Sequence, residues 1–317
     1  MTEDASDPVA LEAFRRLMLG GVVLEPCQTP AYVQVAARLA GWESMSLPSP
    51  VEGSAAWLAV RKVGPFSQVV LPPFAPYSAI LSPAHSDPSF SLDALAQTLE
   101  STFDDLVLHL PPAHPLAPVL TRRSWKMSTL RTYLLDVGQA ADVETWSESA
   151  TRNFKRYAEA FDIREEPASA QFVASLCRAS YEKSGHAPPI RPEAMGPLAE
   201  AVVRAGLGQA WTARDVSGIA RAGLITLTAG ETSSYWMAGS EPGPAMTVLL
   251  GGVFAALHER KISRFDFVGA NTPSIAEFKR RFGGQLVEYA AARKTPNRLL
   301  ATALSWRDRV IRPGTNR

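Results

Sequence analysis

The sequence predicts an α/β (α+β) chain built as two tandem units, each a mixed, mostly antiparallel sheet flanked by helices. Three observations carry that expectation. The chain has 317 residues, enough for two compact domains at roughly 100–200 residues each. Hydrophobic residues make up 46% and charged residues 20%, the balance of a folded chain rather than a disordered or collagen-like one. The same order of elements, short meandering strands followed by helix, strand, helix and strand, runs through the chain twice.

The early helices are set by punctuation. Asp7-Pro8 and Thr29-Pro30 each place a capping oxygen before a proline at the first helical position. The second of these helices runs through Val33, Ala36, Ala37 and Ala40 and stops at Gly41. Residues 56–63, 68–71 and 77–81 then read as strands, separated by Gly64-Pro65 and by the prolines at 72, 73 and 76. A helix at 91–103, a buried strand at 106–110 ending at Pro111-Pro112, a helix at 115–124 and a strand at 130–137 close the first half.

The middle is helical. Residues 146–161 place Phe154, Tyr157, Ala158 and Phe161 on one stripe, with Arg152, Lys155 and Arg156 on another face. Helices at 170–183 and 193–204 follow, and then strands at 209–214, 219–228 and 233–238, rich in aromatic and β-branched residues. A helix at 244–261, a strand at 264–268, a helix after Thr272-Pro273, a strand at 285–290 and a basic helix from Pro296 complete the order. Ala56-Trp57-Leu58-Ala59 with Gly64 matches Ala210-Trp211-Thr212-Ala213 with Gly218 at a constant offset of 154. This reads as a tandem duplication, with units at 1–140 and 141–317 and with Trp57 and Trp211 on equivalent strands.

Charge narrows the function classes. Lys and Arg total 32 against 31 Asp and Glu, so there is no global field for DNA, and a charged partner must be met by a local patch. Cys27 and Cys177 are too few for a disulfide framework or zinc cluster. His109 and His114 are separated by a proline pair, so no metal site is expected. The acidic N-terminus lacks a signal-peptide pattern, and the longest apolar stretch, 245–257, is too short to span a bilayer. A cytoplasmic location is the expectation. Nucleophile-elbow, P-loop and dinucleotide motifs do not occur.

One stretch is specific. Phe265-Asp266-Phe267-Val268-Gly269-Ala270 precedes Ile275-Ala276-Glu277-Phe278-Lys279-Arg280-Arg281-Phe282-Gly283-Gly284. This resembles the C-terminal signature of the FemAB family of peptidoglycan-bridge aminoacyltransferases, whose chains carry two units of the Gcn5-related N-acetyltransferase (GNAT) fold. Leu71-Pro72-Pro73-Phe74-Ala75-Pro76-Tyr77 is similar to a family loop, and Thr151-Arg152-Asn153-Phe154-Lys155-Arg156 to its basic helix. The resemblance implies two GNAT-like domains and transfer of an acyl or aminoacyl group to an amine. The donor substrate it implies is acyl-CoA or aminoacyl-tRNA, with no tightly bound cofactor and no metal. The acceptor it implies is a small molecule or a sugar-nucleotide or lipid-linked precursor of cell envelope or polysaccharide, such as peptidoglycan.

The phosphate-cradling loop of the GNAT fold is glycine-rich, whereas Gly239-Ser240-Glu241-Pro242-Gly243-Pro244-Ala245 carries an acid and two prolines. Weak acetyl-CoA binding is therefore expected in the second half.

The resemblance puts Lys279 forward as a catalytic residue beside the developing oxyanion, with Phe278 at the substrate. The alternative is that Phe278 and Phe282 are core contacts and Lys279 a solvated neighbour. Asp266 reads either as a general base or as a buried structural acceptor. Arg152, Lys155 and Arg156 lie at i, i+3 and i+4 and suit a diphosphate or sugar-nucleotide, unless Glu148 and Glu159 neutralise them on a solvated face. Tyr235 is the polar member of the Tyr235-Trp236 pair and a candidate substrate contact. The terminal helix, with Leu299, Leu300, Ala303 and Leu304 beside Arg298, Arg307, Arg309 and Arg312, suits either peripheral contact with an anionic membrane or packing on the second unit. A degenerate, non-catalytic pair of units that binds a ligand or partner is the rival functional reading.

Overall fold

A computed structural model of the chain describes residues 24–48, 55–81 and 89–302, together with 12 and 304. The helix expected after Asp7-Pro8, and the terminal helix beyond its opening turns at 298–302, lie outside these residues.

Local chemistry sets the elements as the punctuation implies. The Thr29 side chain accepts from the Tyr32 amide, Pro30 fills the first turn and Gly41 ends the helix at φ 73°, giving α1 (Pro30–Ala40). There follow β1 (Glu43–Pro48), β2 (Ala55–Val63), β3 (Phe66–Val70), β4 (Ala79–Leu81), α2 (Ser89–Thr102), β5 (Asp105–Leu110), α3 (Leu116–Arg122) and β6 (Lys126–Asp136). The second half runs α4 (Val137–Ala141), α5 (Glu148–Tyr157), β7 (Phe161–Glu165), α6 (Ala170–Ser184), α7 (Pro192–Arg204), β8 (Gly208–Asp215), β9 (Ala220–Ala229) and β10 (Thr232–Ser240). It ends with α8 (Ala245–Glu259), β11 (Arg264–Asp266), α9 (Pro273–Arg280) and β12 (Gln285–Lys294).

The helix expected over 146–161 stops at Tyr157. Phe161 instead opens the edge strand β7, where Phe161 and Ile163 pack inward while Asp162 and Arg164 face out. A period of two displaces the helical period there because β7 pairs with β8 from Phe161↔Asp215 to Glu165↔Trp211.

The strands form one sheet in the order β1-β2-β3-β5-β12-β6-β11-β10-β9-β8-β7, with β4 paired to β2. All pairs are antiparallel except β3 with β5 and β10 with β11. Each half therefore contains a meander, one parallel pair and a last strand, and the last strands are exchanged. β12 pairs with β5 of the first half, β6 pairs with β11 of the second, and the two pair with each other from Gln285↔Leu134 to Arg293↔Lys126.

The parallel pairs align the repeats and correct one expectation. β2, which carries Trp57, lies two strands from β5, whereas β8, which carries Trp211, lies three strands from β11. The strand equivalent to β2 is β9, so the 154-residue match is not the structural register of the repeat.

Among the described residues the three largest buried clusters fill the layers. Leu92, Leu95 and Leu99 of α2 pack on Leu106 and Leu108 of β5; Leu249, Val253 and Phe254 of α8 pack on Phe265 and Phe267. The third cluster joins the halves, with Tyr32 and Tyr77 from the first beside Cys177, Trp236 and Met237 from the second. Gly239 permits its close layer: a Cβ there would sit 2.5 Å from the Leu176 backbone in α6.

His114 shows how burial fixes a protonation state in the first half. Its Nδ1 accepts from the Leu116 amide and its Nε2 lies 3.2 Å from the Ile80 carbonyl, an arrangement that the neutral ring completes by donating there. Burial holds the imidazole down at about 4 against an ordinary 6.5, opposed by the Ile80 hydrogen bond. Because the folded value lies below the unfolded one, the contribution is present above pH 6.5 and lost as pH falls toward 4. Urea unfolding across that window is expected to show a loss of up to about 3 kcal/mol in the wild type that a His114→Leu variant does not show.

Candidate functional site

β10 and β11 pair in parallel only from Thr232↔Arg264 to Ser234↔Asp266 and then part. Beyond that point β10 shifts register against β9 between Tyr235 and Met237, a bulge that re-aims the side chains at the parting strands. Crevices outside the carboxyl ends of parallel strands are where open α/β sheets take ligands. The residues of the Phe265–Gly284 signature converge here.

Asp266 ends β11 and is fully buried. Its Oδ2 accepts from the Tyr77 hydroxyl at 2.7 Å, and its Oδ1 accepts from the Thr132 hydroxyl at 2.5 Å and the Val268 amide at 2.7 Å. The chain then turns sharply, with Val268 at φ 50° and Gly269 at φ 71°. The left-handed region is natural for Gly269 and strained for a β-branched valine.

Three successive carbonyls of this turn, those of Phe267, Val268 and Gly269, accept from the Lys279 ammonium, at 2.7 Å for Phe267 and 2.8 Å for Gly269. α9 delivers that lysine: Pro273 starts the helix, and Phe278 anchors it against Phe282 with ring centroids 5.2 Å apart. Lys279 is 5% exposed, so it is not the solvated neighbour of the alternative sequence reading. Burial pushes its ammonium down to about 7 while the Asp266 charge pulls it back up. The three carbonyl acceptors favour the charged form, which supplies all three N–H groups.

Tyr235 completes the cluster at the parting strands. Its ring lies 5.8 Å from that of Phe267 and 5.2 Å from the Lys279 Nζ. It is half-buried, and its hydroxyl has no protein hydrogen-bond partner among the described residues. Burial raises its phenol above the ordinary 10, so the hydroxyl stays a proton donor at neutral pH.

The basic residues of α5 lie apart from this cluster, on an exposed face. Arg152 pairs with Glu148 at 3.2 Å, Lys155 pairs with Glu144 rather than Glu159, and Arg156 stacks over Tyr157. At the start of α8, Glu241 bonds Arg221 at 2.9 Å, and the Thr247 and Val248 amides turn back to Pro244. That helix start presents an acid and two prolines, Pro242 and Pro244, which bring no amide N–H where phosphates need amides.

Sequence reasoning missed Tyr77 and Thr132 as partners of Asp266, and missed the pairing of buried Glu25 with half-buried Arg264, two residues before Asp266 on β11. A signal for Tyr77 was present in the loop that it ends. None marked Thr132, which sits inside an ordinary strand.

Residues 142–280 match the family model of the acetyltransferase (GNAT) domain. The crystal structure of FemX superposes with a TM-score of 0.65 over 88% of this chain and 94% of that one, at 11% identity. The chain has a FemAB-like GNAT fold. Two further likenesses bear on it. The C-terminal domain named for a lysylphosphatidylglycerol synthetase of Agrobacterium fabrum matches with a TM-score of 0.57 at 12% identity, over 95% of this chain and 96% of that one. A tandem GNAT protein from the clavulanic acid biosynthesis pathway matches with a TM-score of 0.50 at 14% identity, over 91% and 96%. No curated protein sequence matches significantly. Among the described residues of this GNAT-fold chain no group of three or more metal-ligating side chains occurs, and no helix is long and apolar enough to cross a membrane.

Proposed function

We propose that this GNAT-fold chain is an acyl- or aminoacyltransferase that moves an activated acyl group to an amine of a cell-envelope or polysaccharide precursor, with units bounded near 140/141. The observation that carries the reading is Tyr235, whose protonated hydroxyl has no hydrogen-bond partner among the described residues, at the bulge where the parallel strands part and beside a buried ammonium. The acceptor nitrogen attacks the donor carbonyl, forming the C–N bond. The oxyanion is met by the Tyr235 hydroxyl with the Lys279 charge behind it, and collapse breaks the C–O or C–S bond to the leaving group, which takes up the proton the amine releases. Lys279 stabilises through the field at the crevice rather than by direct contact, because its protons are engaged by the turn. Asp266, already accepting three hydrogen bonds, holds structure rather than taking the amine's proton.

The donor that fits best is an aminoacyl ester such as aminoacyl-tRNA. Tyr235, Phe267 and Lys279 occupy the parting between the strands, and Glu241 stands at the α8 start, so a pantetheine arm and its pyrophosphate lack a seat. Arg152, Lys155 and Arg156 would meet the phosphates of a sugar-nucleotide or lipid-linked acceptor. The lysylphosphatidylglycerol synthetase domain, as named, supports an acceptor carried on a membrane lipid.

A second reading is favoured by the same saturation: a crevice whose ammonium and carboxylate are both internally satisfied suits a non-catalytic ligand- or partner-binding protein. Mass-spectrometric assay of aminoacyl-tRNA and acyl-CoA donors against amine-bearing envelope precursors separates the two, since transfer with any pair excludes the binding reading. Calorimetry with acetyl-CoA is expected to give no binding at micromolar concentrations, and a micromolar Kd in the second half would overturn the donor assignment.

A further inference from the structure

The parts of the crevice are linked end to end by hydrogen bonds, and the first links come from the other half of the chain. The Thr132 hydroxyl and the Val268 amide share one oxygen of Asp266, and the Tyr77 hydroxyl holds the other. Val268 keeps its left-handed backbone with its amide on that carboxylate, and this turns the carbonyls of 267, 268 and 269 onto Lys279, whose Nζ lies against the Tyr235 ring.

We propose that Tyr77 and Thr132 are positioning residues for the transfer site of the second half, fixing the Lys279 ammonium and through it the Tyr235 ring by way of Asp266 and the turn at 267–269. The inference rests on reading the Tyr235–Lys279 crevice as that site. The first half thereby contributes a two-point grip on a carboxylate that it does not itself contain. Loss of either donor frees one side of Asp266, the strained turn relaxes, and the carbonyls withdraw from the ammonium. Such small displacements of a charged group in a preorganised site are costly for rate.

The groups that face Asp266 are Glu25 and Arg264 beside it, Tyr77 and Cys27 from the first half, Tyr289 of β12, and Lys279. Withdrawal of the carbonyls takes acceptors from the ammonium and so lowers the Lys279 titration midpoint.

The test follows the Lys279 side-chain carbon signal by NMR across pH in the full chain, together with kcat and acceptor KM. Tyr77→Phe and Thr132→Val are expected to move the Lys279 midpoint to lower pH and to reduce kcat by roughly ten- to a hundred-fold with KM unchanged. Thr132→Ser, which keeps the donor, is expected to restore both. A Lys279 midpoint in Thr132→Val equal to that of the wild type overturns the proposal, and the Thr132→Val and Thr132→Ser pair decides alone if Tyr77→Phe does not fold. The midpoint needs no turnover. A chain that transfers nothing yet shows the shift refutes the proposed function and leaves the positioning intact, whereas transfer with an unmoved midpoint does the reverse.

Discussion

Tyr235→Phe is expected to lower the rate of acyl transfer by roughly 100- to 1000-fold while leaving the melting temperature unchanged. The substitution removes one hydroxyl that has no partner among the described residues, so the folded state loses no hydrogen bond and stability should move by less than about 0.5 kcal/mol. The transition state loses a preorganised donor, an effect of roughly 2.7–4 kcal/mol on the barrier. Single-turnover kinetics and a thermal scan on the same preparation check both halves of the claim. Arg280→Ala serves as the control, because Arg280 is exposed and paired to Glu277 on the outer face of α9. Equal loss in both variants would show that Tyr235 has no special part.

Lys279→Met is expected to behave in the opposite way, destabilising the protein by about 3–5 kcal/mol, the range for removing one partner of a buried charged contact. Three carbonyls that accept from one ammonium would be left without their donor, and the left-handed Val268 would lose what holds its carbonyl in place. Denaturant midpoints measured near neutral pH read this directly. The family signature alone implies that a substitution at Lys279 abolishes rate while melting temperature holds; the burial of Lys279 leads to the expectation that stability falls as well. Loss of activity at this position therefore cannot by itself assign chemistry to the lysine, and Tyr235→Phe is the cleaner probe. An unchanged denaturant midpoint would show that the carbonyl grip contributes nothing.

What the sequence made legible was local. Thr29, Pro30 and Gly41 delimit α1 because cap, proline and left-handed terminator act within a single helix. Phe265 to Phe267 and Phe278 to Phe282 are readable as strand and helix end because both halves of the signature lie within twenty residues of each other. β7 was hidden by a stripe that carries the helical period through Ala158 to Phe161, and only pairing with β8 decides in favour of a strand. Tyr77 and Thr132 meet Asp266 across 189 and 134 residues of chain. No spacing rule reaches that far, and the repeat that could have guided it was read in the wrong register at Trp57 and Trp211.

The exchange of β6 and β12 also sets an order of assembly on the ribosome. β5 and β6 leave the exit tunnel early, but the strand that must lie between them is among the last to be made. At 5–20 residues per second the nascent first half therefore waits on the order of ten seconds with two unpaired edges separated by the width of a missing strand. Exposed edges of this kind template pairing with other chains. Synthesis rate and chaperone supply, more than equilibrium stability, should then govern how much of this protein reaches its native state, and early termination before β12 should yield aggregate rather than a free-standing first domain.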